Sequence, residues 1–577
     1  MFDYIIRGGT VVDGSGQDGY PADVGIRDGK IAAIGDLCGE TTAVPENTLD
    51  GTGLIVSPGF INMHSHGDQT LFLFPKGEGT VRQGITTCFC GNCGATPGPI
   101  DKMWVRKFWE YDAWDEVDPY IDETETILPR EQVVPIVEAY FGTKIDWSSI
   151  SEYMEKMERE GISFNYIPNV GHGDIRAQVM GNENRKPTEA EMEEMKRYLR
   201  EALEAGVYGM TTGRDYAPGN YADIDELTEL VKIVEEYGGI YTTHWRNRGR
   251  DAEDRTKGLL EAFELARRTG VKLHVNHLSD LFYTMECLPC ESASIRAGKT
   301  LRYIDDARKE GLSFIFDVIP NESGGFEYIP HLSGYFMPWI RISGSIENFI
   351  ANLSKRNFLS WLRHWIEEGK GGLINPAAFP QWDRWLQIVS SEKKEYVGKS
   401  IAELYDRCLD RDSIDTVLRI LKEEPLIRTK TVRFEREIVA EFLNHDLALV
   451  GTDSFSFDGY GTFGRKKSVP DILVHPNTLS GMVSYITKFG YRRIEDTIRK
   501  ITGKAADWLG LSDRGYIREG FWADITVLRA EELCTNENYE DPCQYPSGIE
   551  YVFVNGELVV GKNGHTGAKP GKVLRRK

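Results

Sequence analysis

A chain of 577 residues with 41% apolar residues is too long for one ordinary domain and apolar enough to bury a large core. A formal charge of −21 opposes a nucleic-acid partner, and no apolar run approaches the roughly 18 residues of a membrane span. Nine irregularly spaced cysteines, and a start M-F-D-Y-I-I-R-G-G without a basic segment ahead of an apolar one, lead us to expect reduced thiols in a cytoplasmic protein.

The first fifty residues alternate as strands do. D-Y-I-I-R-G-G-T-V-V-D-G and A-D-V-G-I-R-D-G-K-I-A-A-I-G show it, with D-G as a hairpin signal. The C-terminus returns to this style in F-W-A-D-I-T-V-L and Y-V-F-V-N-G-E-L-V-V. Strands at both ends with a different texture between them predict that residues 1–53 and 510–577 build one small β-domain together. Residues 54–509 instead alternate short apolar runs with helical stretches.

Eight candidate strands are legible there, at 54–63, 84–92, 163–169, 207–212, 239–244, 271–278, 312–318 and 446–453. Helical patterns follow most of them. P-T-E-A-E-M-E-E-M-K-R-Y-L-R-E-A-L-E has Thr188 as its cap, and D-I-D-E-L-T-E-L-V-K-I-V-E-E-Y is a second example. Eight β/α units predict an α/β fold, a closed (β/α)₈ TIM-like barrel. A doubly wound open sheet is the alternative, but no G-x-G-x-x-G follows the first strand. Residues 321–445 carry five of the twelve tryptophans: Trp339, Trp361, Trp365, Trp382 and Trp385. A span this long is no structureless loop. We expect a mostly helical insertion that covers the catalytic face as a lid, forms a homo-oligomer interface, or does both.

The chemistry-bearing residues gather at strand ends. P-G-F-I-N-M-H-S-H-G-D places His64 and His66 two apart on extended backbone, so both side chains point the same way. A lone histidine is more often a satisfied core residue; two on one face can chelate a metal. Later strand ends add Cys93 in G-N-C-G, His244 in Y-T-T-H-W-R, His277 in H-V-N-H-L-S and Asp453 in V-G-T-D-S. Barrel active sites lie at this end, and a nitrogen, sulfur and carboxylate donor set suits Zn²⁺ best. The expected chemistry is cleavage of an amide-type C–N bond by metal-bound hydroxide, with Asp453 moving the proton from water to the departing nitrogen. Cys287 and Cys290 form a C-x-x-C without a second pair nearby and read as incidental.

These motifs resemble the amidohydrolase superfamily, specifically its N-acyl-D-amino-acid deacylase (D-aminoacylase) group. The resemblance runs through R-Q-G-I-T-T-C-F-C-G-N-C-G, N-V-G-H-G-D-I-R and Y-A-P-G-N-Y-A-D-I-D-E-L. It ends on D-R-G-Y-I-R-E-G-F-W-A-D-I-T-V-L and H-T-G-A-K-P-G-K-V-L-R-R, and so covers nearly the whole chain. It implies a barrel with a β-sandwich built from both termini. It implies that Cys93 replaces the carboxylated lysine of many relatives and holds a tighter metal with His244 and His277. By the same resemblance, His64, His66 and Asp453 line a weaker second position, and Asp453 is the catalytic acid/base. His172 in G-H-G-D is either a second catalytic group, donating to the oxyanion or orienting a ligand, or a loop-stabilising histidine.

The chain also departs from the pattern. The usual H-M-R-D-E is His244-Trp245-Arg246-Asn247-Arg248, and S-T-G-L-E-Y is Thr211-Thr212-Gly213-Arg214-Asp215-Tyr216. A lysine often found two positions after His277 is Ser279, D-x-Y-P-Y is Asp317-Val318-Ile319-Pro320-Asn321, and H-P-R is His475-Pro476-Asn477. The expected reaction is therefore hydrolysis of a linear small-molecule amide of the N-acyl-amino-acid type, with a substrate not typical of the family. A cyclic amidase (hydantoinase-, lactamase- or imidase-like) is the alternative. A non-catalytic scaffold is a third reading, and it would be expected to have lost metal ligands. Arg214, Arg246 and Arg248 near one barrel mouth are expected to bind an anionic group of the substrate. The bland alternative pairs them with acids such as Asp68, Asp215 or Asp280.

Overall fold

The computed structural model describes residues 1–105, 127–247, 251–282, 291–322, 331–368, 375, 377, 381–432, 434–457, 476–491, 493–538 and 544–577. Strands from the two ends of the chain share one sheet. Tyr4–Val11, Tyr20–Arg27 and Lys30–Gly35 come from the N-terminal side; Ile525–Leu528, Ile549–Val554, Glu557–Gly561 and Gly564–His565 come from the C-terminal side. Ile55–Pro58 joins the halves, parallel to the first strand and antiparallel to Ile525–Leu528. The D-G signal acts as read, and N-G in Y-V-F-V-N-G-E-L-V-V turns the chain in the same way. Asp28-Gly29 and Asn555-Gly556 each take two positive φ values, at +53 and +76 and at +48 and +82, as a tight hairpin requires. The two tips touch: a Cβ on Gly556 would lie 2.4 Å from Gly29 Cα. Alternate residues such as Ile6, Val24, Ile26, Val56, Ile525 and Phe553 form the core of this sheet.

The middle of the chain supplies parallel strands, here β1 (Phe60–Ser65), β2 (Ile85–Cys90), β3 (Asn165–Ile167), β4 (Gly209–Gly213), β5 (Ile240–His244), β6 (Lys272–Val275), β7 (Phe314–Val318) and β8 (Ala448–Val450). β1, β2 and β3 pair side by side, and β4 through β8 continue in chain order. The last strand returns to the first: Asp453 N donates to His64 O (2.9 Å), and His66 N donates to Ser454 O (2.9 Å).

Two strand expectations need correction. The run 54–63 is two strands in two sheets, divided at Gly59, where a Cβ would lie 2.2 Å from the Thr86 side chain. The run 163–169 breaks after Ile167, because Pro168 has no N–H to continue the ladder; Val170–Gly171 resumes it against β4.

Helices α1 (His172–Met180), α2 (Glu189–Glu204), α3 (Ile224–Glu236), α4 (Ala252–Thr269) and α5 (Ala293–Lys309) alternate with the strands. Thr188 and Glu191 form the capping box that starts α2, and Asp223 caps α3. Within 321–445, Leu332, Phe336, Trp339, Phe349, Leu362 and Ile420 belong to a separate apolar core. Trp339 packs edge-on against Trp361 and Trp365, with ring centres 4.2 and 5.8 Å away. The last helix of that span, α6 (Arg436–Asn444), joins the main core instead and packs on α5 and β8. Among the described residues no helix is long and apolar enough to cross a membrane.

Candidate metal centre

The C-terminal strand ends bring six donors together. His64 and His66 leave β1 on one side, as two residues on extended backbone must. Their Nε2 atoms lie 3.1 and 3.0 Å from Asp453 Oδ1. Cys93 Sγ lies 3.4 Å from His64 Nε2 and 3.7 Å from His277 Nε2, which in turn lies 2.8 Å from His244 Nδ1. The donors fall into two groups, His64/His66/Cys93/Asp453 and Cys93/His244/His277, with the atoms of each within 4.8 Å of one another. Cys93 is common to both. All six side chains are buried.

Their arrangement suits a cation better than mutual pairing. Asp453 Oδ1 sits close to two imidazole nitrogens yet makes no aligned hydrogen bond. A carboxylate oxygen set between two imidazole nitrogens without an aligned hydrogen bond to either is what a ligand set looks like. The backbone shows the same commitment. Cys93, His277 and Asp453 have φ of +57, +33 and +48, and they are three of the seven non-glycine residues with positive φ among those described. Such conformations cost about 1–3 kcal/mol each and persist where the surroundings enforce them, commonly at functional sites.

A second layer fixes each ring. His64 presents Nε2 because its Nδ1 faces Asp317, at 3.1 and 3.2 Å from the two carboxylate oxygens. His244 presents Nδ1 because its Nε2 meets Asp215 Oδ2 at 3.1 Å. His277 has Asn247 Nδ2 at 3.3 Å from its Nδ1, and His66 has Gln69 Nε2 at 3.4 Å. Partners of this kind set which nitrogen is free for a metal. Asp317 does more: it accepts from Asn276 Nδ2 (2.9 Å) and His277 N (2.9 Å) and lies 2.8 Å from His274 Nε2.

The charges of the cluster are arranged for a cation. Burial alone would raise the Cys93 thiol, but His64, His244 and His277 bring it well below its ordinary range. Burial would likewise raise Asp453, and His64 and His66 hold it well below the usual carboxylate value. Burial lowers His66, but its close contacts with Asp453 and Cys93 push it up to about 9. The thiolate and carboxylate forms are thus favoured, and protons on His64, His66 and His244 supply balancing charge that a divalent ion would replace.

Other expected site residues lie elsewhere. His172 is buried, with Nε2 2.9 Å from Glu226, which also accepts from Arg176 Nε (3.1 Å). It belongs to neither donor group, and burial holds its pKa below the ordinary value. Its Nε2 is thus committed to Glu226 on α3 and not to the donor cluster. Arg214 is also buried. Its Nε donates to Glu261 (2.9 Å), its Nη1 to Gly219 O and its Nη2 to Ala222 O (2.8 Å). Arg246 donates to Arg214 O and Asn220 O, at 3.0 Å each. The buried Arg214 guanidinium needs partners for its N–H groups, and it and the half-buried Arg246 find them in the 214–222 loop and Glu261. They brace that loop through Glu261 and backbone carbonyls, an arrangement that serves the scaffold and not an anion clamp. Arg248, Cys287 and Cys290 lie outside the described residues.

Two residues escaped sequence reasoning as site residues. Asp215, read from the sequence as part of a motif and as an arginine partner, orients His244. Asp317, quoted only in a motif, orients His64. A usable signal existed for the second: a buried acid near the end of the apolar run F-I-F-D-V, at the same level as the histidines.

The profile of the amidohydrolase family matches residues 47–281. The chain is 27% identical to an N-acyl-D-glutamate deacylase and 25% identical to a D-aminoacylase, both from Alcaligenes xylosoxydans xylosoxydans. Each alignment covers 100% of this chain, with 96% and 98% of the relative. Among solved structures, the N-acyl-D-glutamate deacylase of Bordetella bronchiseptica, complexed with zinc and a phosphonate inhibitor, is similar in fold. Its TM-score is 0.68 at 24% identity, covering 100% of this chain and 99% of that one. With the parallel strands described above, this likeness makes the fold an α/β fold of the TIM-barrel type. By the profile match over residues 47–281 and the full-length likeness to those deacylases, the chain is similar to the amidohydrolase family, metal-dependent hydrolases of carbon–nitrogen bonds.

Proposed function

We propose that the protein is a zinc-dependent deacylase of N-acyl amino acids, working on a closed (β/α)₈ barrel. In this reading residues 1–53 and 510–577 form a β-sandwich domain, 54–509 the barrel, and 321–445 an insertion beside its mouth. The observation that carries it is the convergence of six buried donors, Cys93 shared between two groups, at the strand ends. Sulfur and imidazole donors favour zinc, and the relatives that align over the full length are deacylases by name.

A bound divalent ion supplies Lewis acidity, lowering the pKa of water toward about 7 and polarising the amide carbonyl. The protein's own groups do the rest. Cys93, His244 and His277 form the tighter seat; His64, His66 and Asp453 line the weaker one. Asp453, ionised in this setting, takes the proton of the attacking water and passes it to the leaving nitrogen. Asp317 and Asp215 keep the rings of His64 and His244 aimed inward. Burial of all six donors keeps bulk water from competing.

Metal uptake should depend on pH. With His66 held protonated up to about 9, a cation must displace that proton to reach Nε2. Apparent affinity should rise from about pH 6 to about pH 9 and level off above it, as followed by competition with a chelator. A flat profile over that range would contradict the assignment of His66.

The reaction is tested by a hydrolysis screen with mass detection on N-acyl amino acids and cyclic amides. Deacylation yields two products, whereas ring opening adds the elements of water without a fragment. Turnover of cyclic substrates alone would overturn the deacylase reading in favour of a cyclic amidase.

A further inference from the structure

Cys93, the donor common to both groups, sits in a turn that a different strand holds open. The turn is Gly91-Asn92-Cys93-Gly94, directly after β2, and all four residues are buried. Three of them have positive φ: Gly91 at +77, Cys93 at +57 and Gly94 at +75. Glycine takes that conformation freely. Cys93 takes it at a cost, so its surroundings must enforce it. In a four-residue turn the first carbonyl commonly accepts from the fourth N–H. Here the Thr211 hydroxyl stands between the two: it donates to Gly91 O (2.5 Å) and accepts from Gly94 N (3.0 Å). Thr211 is fully buried in β4, and β4 supplies none of the six donors.

One hydroxyl thus grips both ends of the turn. Other contacts hold single points: Tyr216 Oη donates to Cys93 O (2.8 Å), Gly173 N to Gly94 O (3.1 Å) and Asn92 Nδ2 to Phe89 O (2.9 Å). The turn also lies directly on β4, since a Cβ on Gly94 would sit 2.4 Å from Gly213 N. Without the hydroxyl the turn has two courses. It can leave the Gly91 carbonyl and the Gly94 N–H buried without partners, or it can close on a bond of its own between them and carry Cys93 with it. Either course disfavours the turn that aims the sulfur at the other donors. Resting on the reading of Cys93 as the shared metal ligand of a deacylase, we propose that Thr211 is a positioning residue. Its hydroxyl, inserted as a bridge between Gly91 and Gly94, sets the place of the Cys93 sulfur in both donor groups.

Loading with cobalt(II) tests this without relying on turnover. Zinc has no d–d absorption, whereas cobalt(II) bound to a thiolate gives a near-ultraviolet charge-transfer band, which here reports the bond to Cys93. Thr211→Val is close to isosteric and removes the hydroxyl; Thr211→Ser keeps it. The valine variant should bind cobalt about 10–100-fold more weakly, the range typical for groups that orient metal ligands. Its charge-transfer band per bound ion should lose intensity or shift. The serine variant should match the unmodified chain in both respects. A general loss of stability would instead lower the melting temperature of the metal-free protein and leave the band of the loaded protein as it was. Should the valine variant not fold, Thr211→Ala, which sets no methyl group against Gly91 O, is measured in its place. A folded valine or alanine variant whose band per bound ion equals that of the unmodified chain would overturn the role of Thr211 alone. So would a serine variant as impaired as the valine one. An unmodified chain that takes up no cobalt, or binds it without the thiolate band, would overturn the metal-centre and deacylase reading, and this inference with it.

Discussion

Asp453→Asn should stay folded and keep its tightly held metal while kcat falls by about 10²–10⁴-fold, the usual contribution of general acid–base catalysis. Asparagine is nearly isosteric and can still place an oxygen near His64 and His66, which lie 3.1 and 3.0 Å from Oδ1 in the unmodified chain. It cannot accept a proton. The carboxylate can: although burial opposes its charge, His64 and His66 keep it ionised and ready to act as a base. Once protonated in a site that favours its anion, it becomes a strong enough acid to release the proton to the departing amine. Turnover and bound metal should be measured on the same sample. Activity within a few-fold of the unmodified protein, with metal retained, would assign the proton transfer to another group.

Asp317→Asn should weaken metal binding by about 10–100-fold, the range typical for groups that orient metal ligands. One carboxylate here serves four neighbours. Oδ1 faces His64 Nδ1 and accepts from His277 N; Oδ2 lies near His64 Nδ1 and His274 Nε2 and accepts from Asn276 Nδ2. An asparagine has one acceptor oxygen. Whichever way its amide is turned, an NH₂ group confronts donors that the carboxylate satisfied, in a fully buried setting. Burial would raise the Asp317 pKa, but His64 and His274 hold it well below the usual range, so removing its charge also removes a strong counter-charge to both rings. Chelator competition measures the affinity, and the melting temperature of metal-free protein separates a general loss of stability from a loss of ring orientation. Unchanged affinity in the variant would leave Asp317 with a purely structural role.

Much of this site could be read from the sequence because its donors follow strand ends. His64 and His66 announce themselves by a two-residue spacing on an apolar strand, and Cys93, His244, His277 and Asp453 each end a further run. The periodicity that locates those runs also locates the one face where a closed parallel sheet exposes chemistry. The terminal sheet was legible for a similar local reason, since Asp28-Gly29 and Asn555-Gly556 mark hairpins by residue type alone. Interactions that depend on three-dimensional neighbours were not legible. Whether Arg214 faces solvent or Glu261 is decided by the packing of α4 against the 214–222 loop. Nothing in the spacing of Asp317 and His64, 253 positions apart, announces their contact. The boundary at Gly59 was missed because an apolar run looks alike whether it serves one sheet or two. Pro168 did carry a signal, a residue that cannot donate in the middle of a run, and it marks the break in the third strand.

The central claim is that a divalent metal is held between these six side chains and is needed for the reaction. Elemental analysis of the purified protein and of Cys93→Ala, each with hydrolysis measured on the same sample, tests it most directly. The unmodified chain should hold about one zinc tightly, with weaker occupancy of a second position, and stripping the metal should abolish hydrolysis. Because Cys93 belongs to both donor groups, Cys93→Ala should lose metal and activity together. A Cys93→Ala protein that is metal-replete and fully active, or an unmodified protein that hydrolyses amides with no metal bound, would contradict it.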